Sequence, residues 1–147
     1  DYFTMPNISN QNIRFELVGG EVTRCEKAKY ISGFEITRQE LNVCVREISN
    51  CIRCSKCRRT MLNLYVLGIL DEYRNVFDVK WFHNNRKQMI RWAIKNKRGA
   101  DMPEIIRELT RQHQITATDK LRVYASYLVN ALTRKILCGL RKCVKGA

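Results

Sequence analysis

A chain of 147 residues with 45% hydrophobic content can bury a core as one domain or two small ones, but the longest greasy stretch, Met61 to Leu70, is too short and too polar at Asn63 to span a bilayer. The formal net charge is +13, and residues 80–147 hold 16 Lys+Arg against 4 Asp+Glu, which places +12 of it in that half. Such asymmetry implies a polyanionic partner, nucleic acid or an anionic membrane surface. With Asp rather than Met first, the expectation is a piece or a processed product, and the lack of a signal peptide excludes no compartment.

In chain order, residues 12–18 alternate Ile13, Phe15 and Leu17 with Asn12, Arg14 and Glu16, the pattern of a half-buried strand. Gly19-Gly20 is a hairpin turn signal, residues 21–25 supply the returning strand, and residues 30–36 add a short third one. Thr37-Arg-Gln-Glu40 reads as a capping box opening a helix with Leu41, Cys44, Val45 and Ile48 on one stripe, ending near Ser49-Asn50. A second helix over residues 58–77 turns Leu62, Tyr65, Val66, Ile69 and Tyr73 inward. Residues 78–82 form a connection, and the charge balance changes there. The expected organisation is therefore a cysteine-containing module over residues 1–79 and a basic module over residues 80–147.

The basic module opens on a helix from His83 or Asn84 to Lys97, with Met89, Ile90, Ala93 and Ile94 inward and Lys87, Arg91 and Lys95 outward. Arg98-Gly99 stops it. Asp101 and Glu104 resemble a capping box for the next helix, which has Pro103 in its first turn and Ile105, Ile106 and Leu109 on one stripe. A third helix places Leu121, Ala125, Leu128, Leu132 and Ile136 on a buried stripe, with Arg122, Ser126, Asn130, Thr133 and Arg134 on another face. Residues 135–140 and 143–145 then flank a basic turn at Arg141-Lys142, as a small hairpin would. The predicted fold class is α+β and predominantly helical. It combines an N-terminal β-hairpin and cysteine-clustered helices with a winged-helix C-terminal half.

The run Gln88-Met-Ile-Arg-Trp-Ala-Ile-Lys-Asn-Lys-Arg-Gly99, then Ile105-Ile-Arg-Glu-Leu109, then residues 121–137, resembles the globular domain of linker histones. The likeness is a pattern over about 60 residues: a helix ending in Lys/Arg-Gly, a short helix, and a longer one running into a basic wing. It implies a winged-helix fold that binds duplex DNA. Residues 1–79 resemble no family.

Five of the seven cysteines fall between residues 25 and 57: Cys25, Cys44, and the run Cys51-x2-Cys54-x2-Cys57. Zinc takes four tetrahedral ligands, and a Cys-x2-Cys knuckle brings two thiolates to one ion from a single turn. The expectation is one structural zinc held by four of these five, with Arg53, Lys56, Arg58 and Arg59 offsetting the anionic site. Two other readings stand beside it: disulfides in a secreted chain, and buried thiols on a helix stripe at i, i+3 and i+6. Cys138 and Cys143 flank the wing turn and are read as free thiols.

Nothing points to catalysis. The histidines are His83 and His113; a packing or capping role suits His113, and His83 beside Trp81-Phe82 reads as an ordinary interface residue ahead of a spare metal ligand. No phosphate-cradling glycine loop, nucleophile elbow or His-Glu-x2-His motif occurs. The functional expectation is a non-enzymatic, nuclear or otherwise intracellular protein that binds double-stranded DNA or another nucleic acid. In a winged helix the third helix enters the major groove. Ser126 and Asn130 would then reach base edges, with Arg122 and Arg134 on bases or phosphates. Lys87, Arg91, Lys95, Lys97 and Arg98 would line the backbone, and Arg141, Lys142 and Lys145 the wing. The alternatives are a secreted disulfide-bonded ligand for a receptor or anionic surface, and an adaptor docking a protein partner through its N-terminal half.

Overall fold

The computed structural model describes residues 4, 6–16, 18–99 and 101–144, with residue 132 and residues 135–144 as helix backbone only. Within them every regular element is helical: α1 (Arg24–Ile31), α2 (Glu35–Glu40), α3 (Ser55–Val66), α4 (Val79–Asn84), α5 (Arg86–Lys95), α6 (Met102–Arg111) and α7 (Ala117–Val144). Short 3-10 turns lie at Pro6–Ile8 and Leu70–Tyr73. Neither the β-hairpin nor the β-wing is present among the described residues, so the fold is all-α rather than α+β.

The hairpin fails because local side chains satisfy the backbone first. Asn10 Oδ1 accepts from the amides of Asn12 and Ile13 at 2.9 and 2.8 Å, and Ser9 Oγ accepts from Phe15 at 2.9 Å. Such bonds compete directly with a ladder, and Ile13 and Phe15 stay 53% and 42% exposed. The supposed returning strand is instead a helix start. Thr23 caps α1, its hydroxyl accepting from the Glu26 amide while the Glu26 carboxylate accepts from the Thr23 amide. Thr23-Arg-Cys-Glu26 was a capping box in plain view.

The helix expected from Thr37 begins at Glu35 and stops at Glu40. Thr37 does not cap it; its hydroxyl donates to the Phe34 carbonyl at 2.8 Å and lies 3.0 Å from the Tyr73 hydroxyl. Residues 41–54 form an irregular loop. The helix expected over residues 58–77 breaks at Gly68, which adopts φ 76° as a left-handed helix stop. The amides of Gly68 and Ile69 close back onto the carbonyls of Tyr65 and Leu64.

α3 lies at the centre, against α1, α5, α6 and the 3-10 turn. One core joins Met61, Leu62 and Leu64 of α3 to Tyr73, Phe77, Phe82, Met89, Ile90, Ile105 and Leu109. Phe77, Val79 and Phe82 all belong to that core, so the chain position where the charge balance changes falls inside it. The inward residues expected of α5 and α6 are buried as the periodicity requires, with Ile94 and Ile106 partly covered. His113 ends α6 with φ 54°, its amide and that of Gln114 bonding the carbonyls of Thr110 and Leu109. The capping role expected of it is met.

α7 departs most from expectation. It is one helix of 28 residues, continuous through the segment read as a wing. A lone Gly139 weakens a helix by about 1 kcal/mol but does not end it, and no turn pair stands at Arg141-Lys142. Of the expected buried stripe, Leu121 (70%), Ala125 and Leu128 (60%) are exposed, while the side chains of Leu132 and Ile136 lie outside the described residues. The face that docks on α5 carries Asp119 and Val123, both buried. Thr116 and Asp119 cap each other reciprocally, the Asp119 amide donating to Thr116 Oγ1 and the Thr116 amide to Asp119 Oδ2. Arg91 and Lys87 of α5 reach the same carboxylate at 3.2 and 3.5 Å.

Burial alone would raise the Asp119 carboxyl, but the Thr116 hydroxyl and amide, then Arg91 and Lys87, hold it down at about 2, below the ordinary 3.8. A depressed carboxylate stabilises the fold above its unfolded pKa, and that contribution is lost as pH falls from ~4 towards ~2. Asp119→Ala should cost about 1–3 kcal/mol, because it removes the reciprocal cap with Thr116 and the charge-assisted hydrogen bonds from Arg91 and Lys87. Urea denaturation near pH 7 and again near pH 3 checks this, with the difference between wild type and variant shrinking at the lower pH.

Candidate metal centre and basic surface

Four sulfurs converge where the loop over residues 41–54 enters α3. The Sγ atoms of Cys44, Cys51, Cys54 and Cys57 all lie within 4.8 Å of one another, with Cys44 half-buried and the other three buried. A zinc ion with bonds of about 2.3 Å places tetrahedral sulfurs about 3.8 Å apart. Contraction by about an ångström at the widest pair would therefore seat an ion, and the four cysteines are close enough to hold a metal such as zinc.

The local backbone is shaped around the sulfurs. Cys54 is the N-cap of α3, and its sulfur accepts from the Cys57 amide at 3.4 Å. Cys51 Sγ accepts from the Cys54 amide at 3.4 Å, and Cys44 Sγ from the amides of Arg46 and Glu47, each at 3.4 Å. Amides aimed at sulfur favour thiolate, as does the N-terminus of a helix. Between the first two knuckle sulfurs, Ile52 has φ 51°. A β-branched residue pays about 1–3 kcal/mol for that conformation, so the surroundings must hold it there.

The thiols differ in acidity for visible reasons. The Arg46 amide outweighs burial at Cys44 and brings its thiol down to about 6. At Cys54 burial opposes ionisation, but hydrogen bonds from the Cys57 amide and thiol prevail and its pKa falls. Burial and the neighbouring Cys54 thiolate push Cys57 up. The cluster thus favours a partly ionised set, sharing protons that a metal would displace.

Of the five cysteines expected as ligands, Cys25 stands outside the cluster. Its thiol donates to Asn63 Oδ1 at 2.7 Å inside the α1–α3 contact, and burial beside Glu104 pushes it up to about 12. The irregular loop, not a helix, brings Cys44 to the others. All five described cysteines are free thiols, with no disulfide among the described residues. The cations expected near the site have other tasks as well. Arg58 lies 5.6 Å over the Trp92 ring, and Arg59 is 3.4 Å from Asp101. Asp101 caps nothing; it pairs with Arg24 at 2.8 Å.

Sequence reasoning missed Asn50, which it read only as a helix end. Its amide nitrogen donates to the carbonyls of Leu41 at 2.8 Å and Val76 at 3.0 Å, and its oxygen accepts from the Val43 amide at 3.0 Å. Asn42 does the same on a smaller scale, accepting from the Cys44 amide and donating to the Ile48 carbonyl. An Asn pair bracketing a cysteine was the available signal, since Asn offers both donor and acceptor where a loop lacks ladder partners.

The residues expected on nucleic acid fall into distinct groups. Lys87 and Arg91 are committed to Asp119. Lys95 leans on Tyr127, while Lys97 and Arg98 are exposed in the turn after α5 and make no ion pair among the described residues. Arg122, Asn130 and Arg134 are exposed on α7. Ser126 is half-buried and donates to the Val123 carbonyl at 2.7 Å, so it faces its own helix rather than a base edge. Arg141 and Lys142 belong to α7 and to no wing, and Lys145 lies outside the described residues. His83 pairs with Asp71 at 2.8 Å on the surface, away from any metal-type cluster.

The class defined by this geometry is an all-helical fold carrying a four-cysteine, metal-competent cluster. No protein-family model, curated protein or solved structure matches the chain. Asn50→Asp keeps the acceptor but removes both donors, leaving the Leu41 and Val76 carbonyls without their partner. It should lower stability by about 2–4 kcal/mol, read as a shifted urea midpoint.

Proposed function

We propose that this chain is a non-enzymatic nucleic-acid-binding domain whose loop over residues 41–54 is clamped by one structural zinc. The convergence of Cys44, Cys51, Cys54 and Cys57 carries the zinc reading. Four cysteine ligands leave no open position for a substrate, which suits a structural site rather than a catalytic one. Zinc there would tie the two ends of the loop to the start of α3 and would relieve the repulsion among clustered thiolates. A reducing, intracellular compartment suits such a site.

The nucleic-acid reading rests on uncompensated charge. Lys97, Arg98, Lys120, Arg122 and Arg134 are exposed and make no ion pair among the described residues. They lie on α7 and in the turn after its partner α5. α7 runs helical through Arg141-Lys142, where a winged helix would have its wing. An adaptor docking through the apolar helix expected over residues 58–77 would have to use a face of α3 that lies in the core. No described helix is long and apolar enough to cross a membrane.

Protein purified without added metal should carry one zinc per chain by elemental analysis. Cys25→Ser should keep it, whereas Cys51→Ser or Cys54→Ser should lose it. Less than a tenth of an equivalent, with every thiol open to modification, would end the zinc reading.

Each neutralised phosphate releases a condensed counterion, so the logarithm of affinity should fall with the logarithm of salt at about −0.9 per contact. With about four contacts, affinity should drop by about two decades between ~50 and ~200 mM salt. Fluorescence anisotropy of a labelled oligonucleotide tests this, and no binding at the lowest salt removes nucleic acid from the reading.

A further inference from the structure

A cleft of about 780 Å³ opens between the turn that ends α5 and the exposed side of α7. Its walls carry Lys95, Lys97 and Arg98 from one side and Tyr124 and Tyr127 from the other. Among the described residues, no carboxylate and no large aliphatic side chain lines it. The two tyrosines differ in what they are free to do. The Tyr127 hydroxyl donates to the Lys95 carbonyl at 2.9 Å, and the Lys95 ammonium lies 5.9 Å from the centroid of its ring, so Tyr127 is fixed in the wall. Tyr124, one turn earlier on the same helix, is 72% exposed and makes no hydrogen bond through its hydroxyl among the described residues. An aromatic face is thus presented to solvent beside three cations.

The geometry points to single-stranded nucleic acid as the occupant of this cleft, with one base stacked on Tyr124 and the adjoining phosphates held by Lys97 and Arg98. This rests on the nucleic-acid reading above and gives it a site and a strand state. Stacking on an aromatic side chain needs a base with a free face, which a single strand offers and an intact duplex does not. The charge on the cleft is of one sign, as a phosphate backbone requires. An anionic lipid surface would meet the same cations, and Leu121 and Leu128 stand exposed beside Tyr124, so vesicles form one arm of the test.

The test uses the full, zinc-loaded chain and fluorescence anisotropy at ~50 mM salt. The probes are a short labelled oligothymidylate and a labelled duplex of the same length. Tyr124→Ala should weaken binding of the single strand about fivefold or more and leave duplex binding unchanged, while Tyr124→Phe, which keeps the ring, should bind as wild type. Lys97→Ala with Arg98→Ala should weaken both probes and flatten the salt dependence. The exposure of Tyr124 makes these variants safe for folding, and a thermal melt by circular dichroism confirms it. The proposal is overturned if Tyr124→Ala binds the single strand as wild type does, or loses strand and duplex alike with an unchanged melt. It is equally overturned if Tyr124 matters only for binding phosphatidylcholine vesicles that contain phosphatidylserine. Failure of wild type to bind either oligonucleotide rejects the nucleic-acid reading itself. Binding to the duplex alone leaves that reading standing and rejects this one.

Discussion

The structure depends on how residues 41–54 are held, because that stretch has neither helix nor strand and must still cross the face of the core. Every amide and carbonyl buried there needs a partner from outside a ladder. Asn50 makes four bonds, to Leu41, Val43, Val76 and the Cys57 thiol, and so ties the loop at once to its own start, to the cluster and to the segment after the 3-10 turn. The cysteine sulfurs take up the amides of Arg46, Glu47, Cys54 and Cys57. The same atoms that satisfy the loop backbone are therefore the ones that would bind a metal. Binding of a metal there would be coupled to folding of the loop.

That coupling explains why Cys57 matters beyond its thiol. It sits in the first turn of α3, fully buried, four residues before Met61 and five before Leu62 at the centre of the core. A metal on its sulfur would fix the register of α3 and thereby the surfaces against which α1, α5 and α6 pack. Cys25 also touches α3, through Asn63, but its buried and strongly protonated thiol is suited to packing rather than to ligation.

At the other end of the molecule, a single carboxylate sets how α7 lies. Asp119 gathers Thr116, Arg91 and Lys87, which costs two cations their availability and orients the helix on α5. The orientation leaves Tyr124, Arg122, Leu128 and Val129 facing outward. Charge is thus divided between a set paired with Asp119 and a set at Lys97, Arg98, Lys120, Arg122 and Arg134 that is exposed and makes no ion pair among the described residues.

The sequence by itself determined the apolar periodicity of α3, α5 and α6 and a group of five metal-type cysteines, from which only the tertiary structure separates Cys25, since spacing along one chain segment gives no more. It also contained the Thr23–Glu26 box and Gly68, which were legible but overridden by competing strand and helix patterns. What only the tertiary structure decided was the choice between equally apolar faces. The alternation at Ile13 and Phe15 forms no strand without a partner ladder, and Asn10 and Ser9 claim its amides first. On α7 the stripe of Leu121 and Leu128 and the stripe of Asp119 and Val123 are both one helix face, and periodicity ranks the first higher. The second is buried because Arg91 and Lys87 wait for Asp119 on α5, and a contact between residues 28 positions apart has no period to announce it.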